Sequence, residues 1–515
     1  MSRLSLGARS LRVRSWASRR ADLTASLVVF LIALPLCVGV AVASGVPAEL
    51  GLITGIVGGL VAGALPGSSL HVSGPAAGLT VLVYEAVQRY GVGALGMLVL
   101  AAGLLQLGMG VLGLGRWFRA ISVAVVQGML AGIGLVLMTG QVYTLADTEA
   151  PTGGVQKIAG LPGLVAGLTA PGGGPGAPAP TALAIGVGTV AVLVCWPKWR
   201  AAARVAPAPL VAVALAAGIT ALLDLPVRRV EVHGLLDAVQ PPDLASFARL
   251  AEVGVIGTVL AFALIASAES LFSAAAVDRL HDGPRTDYDK ELIAQGAGNA
   301  VCGVLGALPM TAVIVRSAAN VRAGARTKAS RVLHGVWLLV FAAAVPAALG
   351  VIPVAALAGI LVHAGWKLVP GAKSLATLWR GHRGEAVVLG VTAGAIVVTD
   401  LFEGVLAGLL LAVAKTAWDT SHVHIETEDL GAEHGLWVRV RGNATFLRLP
   451  KLLDALEALP HERRVRLDLG GLRHVDHACA AALEGWAERR RAARRAAGVA
   501  SEDDEEDGVA SARVA

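Results

Sequence analysis

The chain has 515 residues, 55% of them hydrophobic and only 16% charged, with 43 Lys and Arg against 37 Asp and Glu for a formal net charge of +6. Soluble domains carry roughly a quarter of their residues as charges. Here the charges gather at the two ends and in a few loops, which excludes an ordinary soluble domain and specifies a polytopic membrane protein.

In chain order, Arg3, Arg9, Arg12, Arg14, Arg19 and Arg20 precede an apolar stretch without a clean cleavage site. This pattern predicts an uncleaved first helix rather than a secretory signal, with the N-terminus in the cytoplasm. About 20 apolar residues cross the hydrocarbon core. That ruler predicts spans near 23–44, 50–65, 92–114, 119–140, 180–197 and 207–224, then near 252–277, 290–306, 330–349, 351–370, 385–400 and 402–416. Shorter proline-led segments near 72–87 and 309–323 fall one in each series, for twelve to fourteen spans in all. The apolar stretch 155–169 is ambiguous, 171–178 is a Pro/Gly loop, and 228–248 is polar with an interfacial segment. The interval from Pro75 to Pro309, applied to Pro35 in the first helix, lands on Glu269 in the eighth. It suggests two halves, each with a site-lining helix followed two helices later by a broken one.

After Ser421 the character changes. Residues 422–427, 435–440 and 465–469 alternate like strands, 449–459 has a helical pattern, and 478–497 forms an arginine-rich amphipathic helix. Together they predict a small α/β domain. The acidic run 501–507 has nothing apolar to bury and is expected to be disordered.

Two helices that begin partway through the membrane direct their free amide ends at a common site. Ser73, Gly74, Pro75 and Ala76 open the first such segment, where glycine permits close approach and proline suits a first helical turn. The second carries Arg316, about two turns past Pro309, with Ser317 and Asn320 following. A guanidinium is always charged and offers fixed donors that suit an oxyanion, and helix N-termini add positive potential. Glu269 stands in the apolar run 261–273, where a carboxylate is costly unless it faces a cavity, a partner or an ion. Burial favours its protonated form, so a proton or cation coupling site is expected. The plainer alternative pairs Arg316 with Glu269 as a structural bridge. Glu85, Asp400 and Glu403 fit the membrane interface, and His422 and His424 a solvated strand face. The cysteines Cys37, Cys195, Cys302 and Cys479 are scattered, which suggests neither disulfides nor zinc. The absence of a phosphate loop, nucleophile elbow or dinucleotide fingerprint leaves an enzyme little support.

These features together resemble the SulP family, the sulfate-permease group of anion transporters. The resemblance rests on Leu34-Pro35 and Ala43-Ser44-Gly45-Val46-Pro47, on Val72-Ser73-Gly74-Pro75, on Glu269-Ser270-Leu271, and on Pro309 with Arg316-Ser317 and Asn320. It implies an all-α polytopic membrane protein of fourteen helices in two inverted repeats of seven (core and gate subdomains), with a C-terminal α/β STAS-like domain. The implied boundaries are 1–21 for a basic cytoplasmic N-terminus, 22–418 for the transporter, 419–499 for the STAS-like cytoplasmic domain and 500–515 for an acidic disordered tail. It further implies substrate binding by Ser73, Gly74, Pro75, Ala76, Val315, Arg316 and Ser317, and coupling-ion binding by Glu269 and Ser273. Uracil and xanthine permeases share the fold, but Arg316 and the tail domain argue against them.

The departures from the family pattern are informative. Leu36 stands where sulfate-type members carry glutamine, as in bicarbonate-type members that are apolar there. Ile314 replaces a threonine, and Glu269 an aspartate, of the sodium-coupled bicarbonate transporter, while Ser273 keeps a hydroxyl. This favours H+ coupling or exchange over Na+ symport. The run 475–479 lacks the usual phosphorylatable hydroxyl, so scaffolding is the expected role of the STAS domain. The expected function is elevator-type secondary active transport of a small inorganic anion (bicarbonate or sulfate) by a homodimer in the inner (plasma) membrane, without cofactor, metal or nucleic acid. The alternatives are a dicarboxylate/H+ symporter, an anion channel, or a membrane sensor signalling through the STAS domain.

Overall fold

The computed structural model describes residues 3–120, 122–151, 153–169, 180–199, 206–232, 234–431, 435–460 and 463–496; the 171–178 loop and the 501–507 acidic run lie outside them. Chain contacts divide the protein into two units, 1–409 and 410–515.

The first unit opens with α1 (Arg3–Ala43), which holds Pro35 inside it, and α2 (Ala48–Val57), continued by a π turn to Ala62. The first broken segment follows: strand β1 (Ser73–Pro75), a 3-10 turn (Ala77–Leu79) and α3 (Thr80–Tyr90). Then come α4 (Val92–Val111), α5 (Val123–Leu145), α6 (Gly154–Thr169), α7 (Pro180–Cys195) and α8 (Ala208–Leu222). The second half repeats this order with α9 (Val253–Val277), α10 (Tyr288–Val304), the broken segment β2 (Met310–Ala312) and α11 (Ile314–Arg322), α12 (Ala329–Ala344) and α13 (Val354–Leu368). A short α14 (Ala372–Gly381), then α15 (Arg383–Val398) and α16 (Leu401–Thr420), which runs on past the unit boundary at 409, follow.

Among the described residues seven helices are long and apolar enough to cross a membrane, and three apolar stretches, Ala48–Ala62, Ala208–Leu222 and Ala329–Ala344, are shorter. The ambiguous 155–169 stretch is helix α6, interrupted by Pro162. It sits between the fifth and sixth spans of its half, as α14 does in the other.

Packing obeys an inverted two-fold relation. When the two halves are exchanged, α1 on α12 becomes α9 on α4, α2 on α12 becomes α10 on α4, and α5 on α15 becomes α13 on α7; all of these contacts are present. The pairs α5–α13 and β1–β2 map onto themselves. Helices α4 and α10 approach through Gly103, Gly296 and Gly303, where any side chain would meet facing backbone. Small residues supply this closeness where lipid gives no hydrophobic drive for helix association.

One expectation is corrected. Pro75 does not open a helical turn: residues 73–75 are extended and pair antiparallel with 310–312, with Ser73 opposite Ala312, Gly74 opposite Thr311 and Pro75 opposite Met310. Backbone polar groups deep in a membrane must find internal partners, and each broken segment uses the other for this before its helix begins.

The second unit contains a sheet in the order β3 (Val423–Asp429), β4 (Leu436–Ala444), β5 (Val465–Val475), antiparallel then parallel, with α17 (Leu449–Glu457) and α18 (His477–Ala496). Val438, Val440, Leu452, Leu456, Leu483 and Trp486 form its core. Arg463 grips Asp429 through two bonds of 2.6 and 2.7 Å and holds that carboxyl at about 2. Asp476 accepts the Cys479 N–H at 2.8 Å as a cap on α18, and burial pushes the Cys479 thiol up to about 12.

Candidate functional site

The two strands cross in a shell of side chains that satisfies their free edges. Asn299 on α10 accepts the Met310 N–H at 2.7 Å and donates to the Met310 carbonyl at 3.1 Å and to Gln106 Oε1 at 2.8 Å. Ser270 Oγ on α9 accepts the Ala312 N–H at 3.3 Å, and Thr54 Oγ1 on α2 donates to the Leu308 carbonyl at 3.0 Å. Ser317 takes the Val72 N–H at 2.9 Å and donates to the Val313 carbonyl at 2.8 Å, while Asn320 donates to the Leu70 carbonyl at 3.0 Å. Ser317 and Asn320 thus fasten α11 to the chain leading into β1.

From this frame two helix starts emerge without side-chain caps: the 3-10 turn behind Ala76, and α11 behind Val313. Uncapped first turns leave N–H groups available to an anion. Arg316 is the third residue of α11 and only 1% exposed. Its Nη2 donates to the Pro75 carbonyl at 3.2 Å, whereas Nε and Nη1 are buried without a hydrogen-bond partner. A Cβ at Gly74 would collide with Nη1 of Arg316, so any larger residue there would force the guanidinium to move. The Cys37 thiol of α1 also lies against this guanidinium.

Glu269 on α9 is half-buried, with Oε2 inaccessible and unpartnered. Its carboxylate presses on the backbone at Gly78, where a Cβ would fall 2.7 Å from Oε1, and lies beside the Thr311 hydroxyl. Ser273, one turn further on α9, is buried. The alternative of an Arg316–Glu269 bridge is not realised: no salt bridge among the described residues includes either group.

The structure therefore brings Gly74, Pro75 and Arg316 together, and sets Glu269 against the start of the other broken helix. Ala76 is buried where the 3-10 turn begins. Ser73 belongs to a different network, accepting from Gln295 Nε2 at 2.7 Å; Gln295 also donates to Glu291 Oε1 at 2.8 Å, and Glu291 meets His71 Nδ1 at 3.1 Å. Val315 is 54% exposed, unlike its buried neighbours Arg316 and Ser317. Sequence reasoning missed Cys37, Thr311, Gln295 and Asn299. A signal existed for the last two: Glu291, Gln295 and Asn299 recur every fourth residue, a polar stripe along one face of an intramembrane helix.

Replacing Gly74 with alanine is expected to weaken anion binding at this site by roughly tenfold to a hundredfold, since a misplacement near 1 Å suffices for such losses. Gly93→Ala, with open space around the new Cβ, should leave uptake unchanged. Parallel uptake assays on the two variants check this.

An integral helical protein whose two inverted halves cross broken helices at a central site, followed by a small sheet-and-helix unit, has the architecture of membrane transporters. The chain belongs to the Sulfate permease family, whose sequence model matches residues 20–392. A model described as "Mlab, STAS domain" matches residues 431–502. YvdB of Bacillus subtilis, a candidate sulfate transporter, is 28% identical over 407 residues, covering 76% of this chain and 72% of that protein. The bicarbonate transporter BicA of Synechocystis is 28% identical over 325 residues, covering 61% of this chain and 53% of that one. The fold is shared with the murine Slc26a9 anion transporter in its inward-facing state, at a TM-score of 0.77, 15% identity, and coverage of 92% of this chain and 84% of that one.

Proposed function

We propose that this protein is a secondary active transporter of small inorganic anions, with bicarbonate and sulfate the first candidates, working by an elevator-type movement coupled to H+ or to anion exchange. The observation that carries the proposal is Arg316: a buried guanidinium with two nitrogens unpartnered and no ion pair among the described residues, beside uncapped helix starts. An unpaired buried charge costs several kcal/mol, so the site favours an anion that takes those donors. Gly74, Pro75, Ala76 and Arg316 are the proposed substrate residues, with Ser73 and Ser317 holding the segments that carry them and Glu269 and Ser273 serving the coupling ion. Its relatives, which include sulfate and bicarbonate carriers, support the substrate class.

The alternation of the spans supports an orientation with the N-terminus in the cytoplasm. Arg19 and Arg20 share one membrane face with Arg116, Lys198, Arg285 and Lys328, whereas the opposite face carries few cations, among them Arg89 and Arg228. The positive-inside rule places the first face, and with it the STAS domain, in the cytoplasm. A homodimer in the plasma membrane is part of the same reading.

Uptake of labelled bicarbonate and sulfate into proteoliposomes, under imposed proton or sodium gradients, tests the proposal. Saturable uptake of one anion, driven by a proton gradient or by counter-anion and indifferent to sodium, is the expected result. Sodium-driven uptake would remove the coupling assignment, and absence of transport of any anion would favour a sensor.

A further inference from the structure

We propose that α14 is an in-plane helix that binds the anionic phospholipids of the membrane leaflet on the side of Arg19 and Arg20. The helix lies between two spans, α13 and α15, joined to them only by 369–371 and by His382. It therefore leaves and re-enters the bilayer at one face and is held at the membrane boundary by its own connections. None of its residues is buried. Ala372, Leu375, Ala376 and Trp379 fall on one side of the helix at helical spacing, and Lys373, Ser374, Thr377 and Arg380 on the other. A helix of this kind, apolar on one face and cationic on the other, lies in the interface with its apolar face among the acyl chains.

Exposure and charge select the partner. Leu375 is 42% exposed and Trp379 53%, and Trp366 at the end of α13 is 58% exposed. These side chains cost free energy in water and are satisfied at headgroup depth, where tryptophan concentrates. Lys367, Lys373, Arg380, His382 and Arg383 are all exposed, and the chain carries no carboxylate from 351 until Glu385. A protein partner would have to offer both an apolar strip and a row of acids, whereas an anionic leaflet offers both along the whole helix. Juxtamembrane lysine and arginine each add roughly 1 kcal/mol, about a fivefold gain, toward such a surface. Both α13 and α15 pack on α5, so lipid held by α14 would tie that group of helices to the membrane surface.

The test uses the full chain in nanodiscs and does not depend on transport. Tryptophan emission is compared between the wild type and Trp379→Phe in lipid brominated near the headgroup; the Trp379 contribution, taken by difference, is expected to be strongly quenched. Preference for spin-labelled phosphatidylglycerol over phosphatidylcholine is then measured for the wild type and for Lys373→Gln/Arg380→Gln/Arg383→Gln. A fall of at least roughly fivefold is expected, with a similar weakening of the wild-type preference in high salt. A Trp379 contribution untouched by brominated lipid, or an anionic preference unchanged in the triple variant, overturns the proposal. All substituted side chains are exposed, and unchanged far-UV dichroism confirms that the variants retain the fold.

Discussion

Arg316→Gln is expected to lower anion uptake by roughly thirtyfold or more, with the purified variant remaining folded. Removing one partner from a buried, hydrogen-bonded charge pair costs about 2–5 kcal/mol, and each 1.4 kcal/mol is a factor of ten. The two helix starts provide less, about 0.3–1 kcal/mol apiece at exposed sites and up to about 2 when partly buried. The guanidinium therefore dominates the proposed binding, and the amides direct the anion. Arg316 donates from Nη2 to the Pro75 carbonyl, and its Nε and Nη1 have no hydrogen-bond partner among the described residues. Glutamine retains a donor and much of the volume while removing the charge, which separates loss of anion binding from loss of packing. Arg316→Lys is a sharper probe: it keeps the charge but loses the planar fork, and should raise KM more than it lowers the maximal rate. The measurement is initial uptake against anion concentration in proteoliposomes, with size-exclusion profiles to confirm folding. Near-normal uptake by Arg316→Gln would mean that the anion binds elsewhere.

Glu269→Gln is expected to abolish the response of uptake to an inward proton gradient, by tenfold or more in accumulated anion, while leaving anion exchange at equal pH largely intact. The carboxylate has an unpartnered oxygen in an apolar run and contacts the backbone at Gly78, the start of the opposing broken helix. A proton taken up there would change the charge beside that helix start by a full unit and so would make anion occupancy and protonation mutually dependent. Glutamine matches the shape of the protonated acid, so it should mimic a permanently proton-loaded carrier. Glu269→Ala removes the contact as well and should impair exchange too. If Glu269→Gln still accumulates anion against its gradient when a proton gradient is applied, the coupling group is another residue. The Glu291–His71 pair, hydrogen-bonded through Gln295 to Ser73, would then be the next to test.

Much of this was legible before any fold was known, and for a physical reason. Hydrocarbon penalises exposed polar backbone and charge so heavily that the spans, the two short proline-led segments, Glu269 and Arg316 stand out in a single chain. The domain after Ser421 was equally readable, because strand alternation and an amphipathic helix have short periods. The proline at 75 misled in one respect. Extended and first-turn helical backbone are both compatible with its φ, and only pairing with Met310 selects the extended form.

Sequence alone thus singled out Arg316 and Glu269 as charges that a chain committed to the bilayer has to satisfy. The tertiary structure decided what surrounds them. Contacts such as Arg316 with Pro75, Glu269 with Gly78 and Asn299 with Gln106 join residues about two hundred positions apart, and no local periodicity records such separations. It also decided that Arg316 and Glu269 are not each other's partners. The inverted packing seats the guanidinium on one strand of the β1–β2 crossing and the carboxylate against the helix start that follows it, with Nε and Nη1 of Arg316 left without a partner among the described residues.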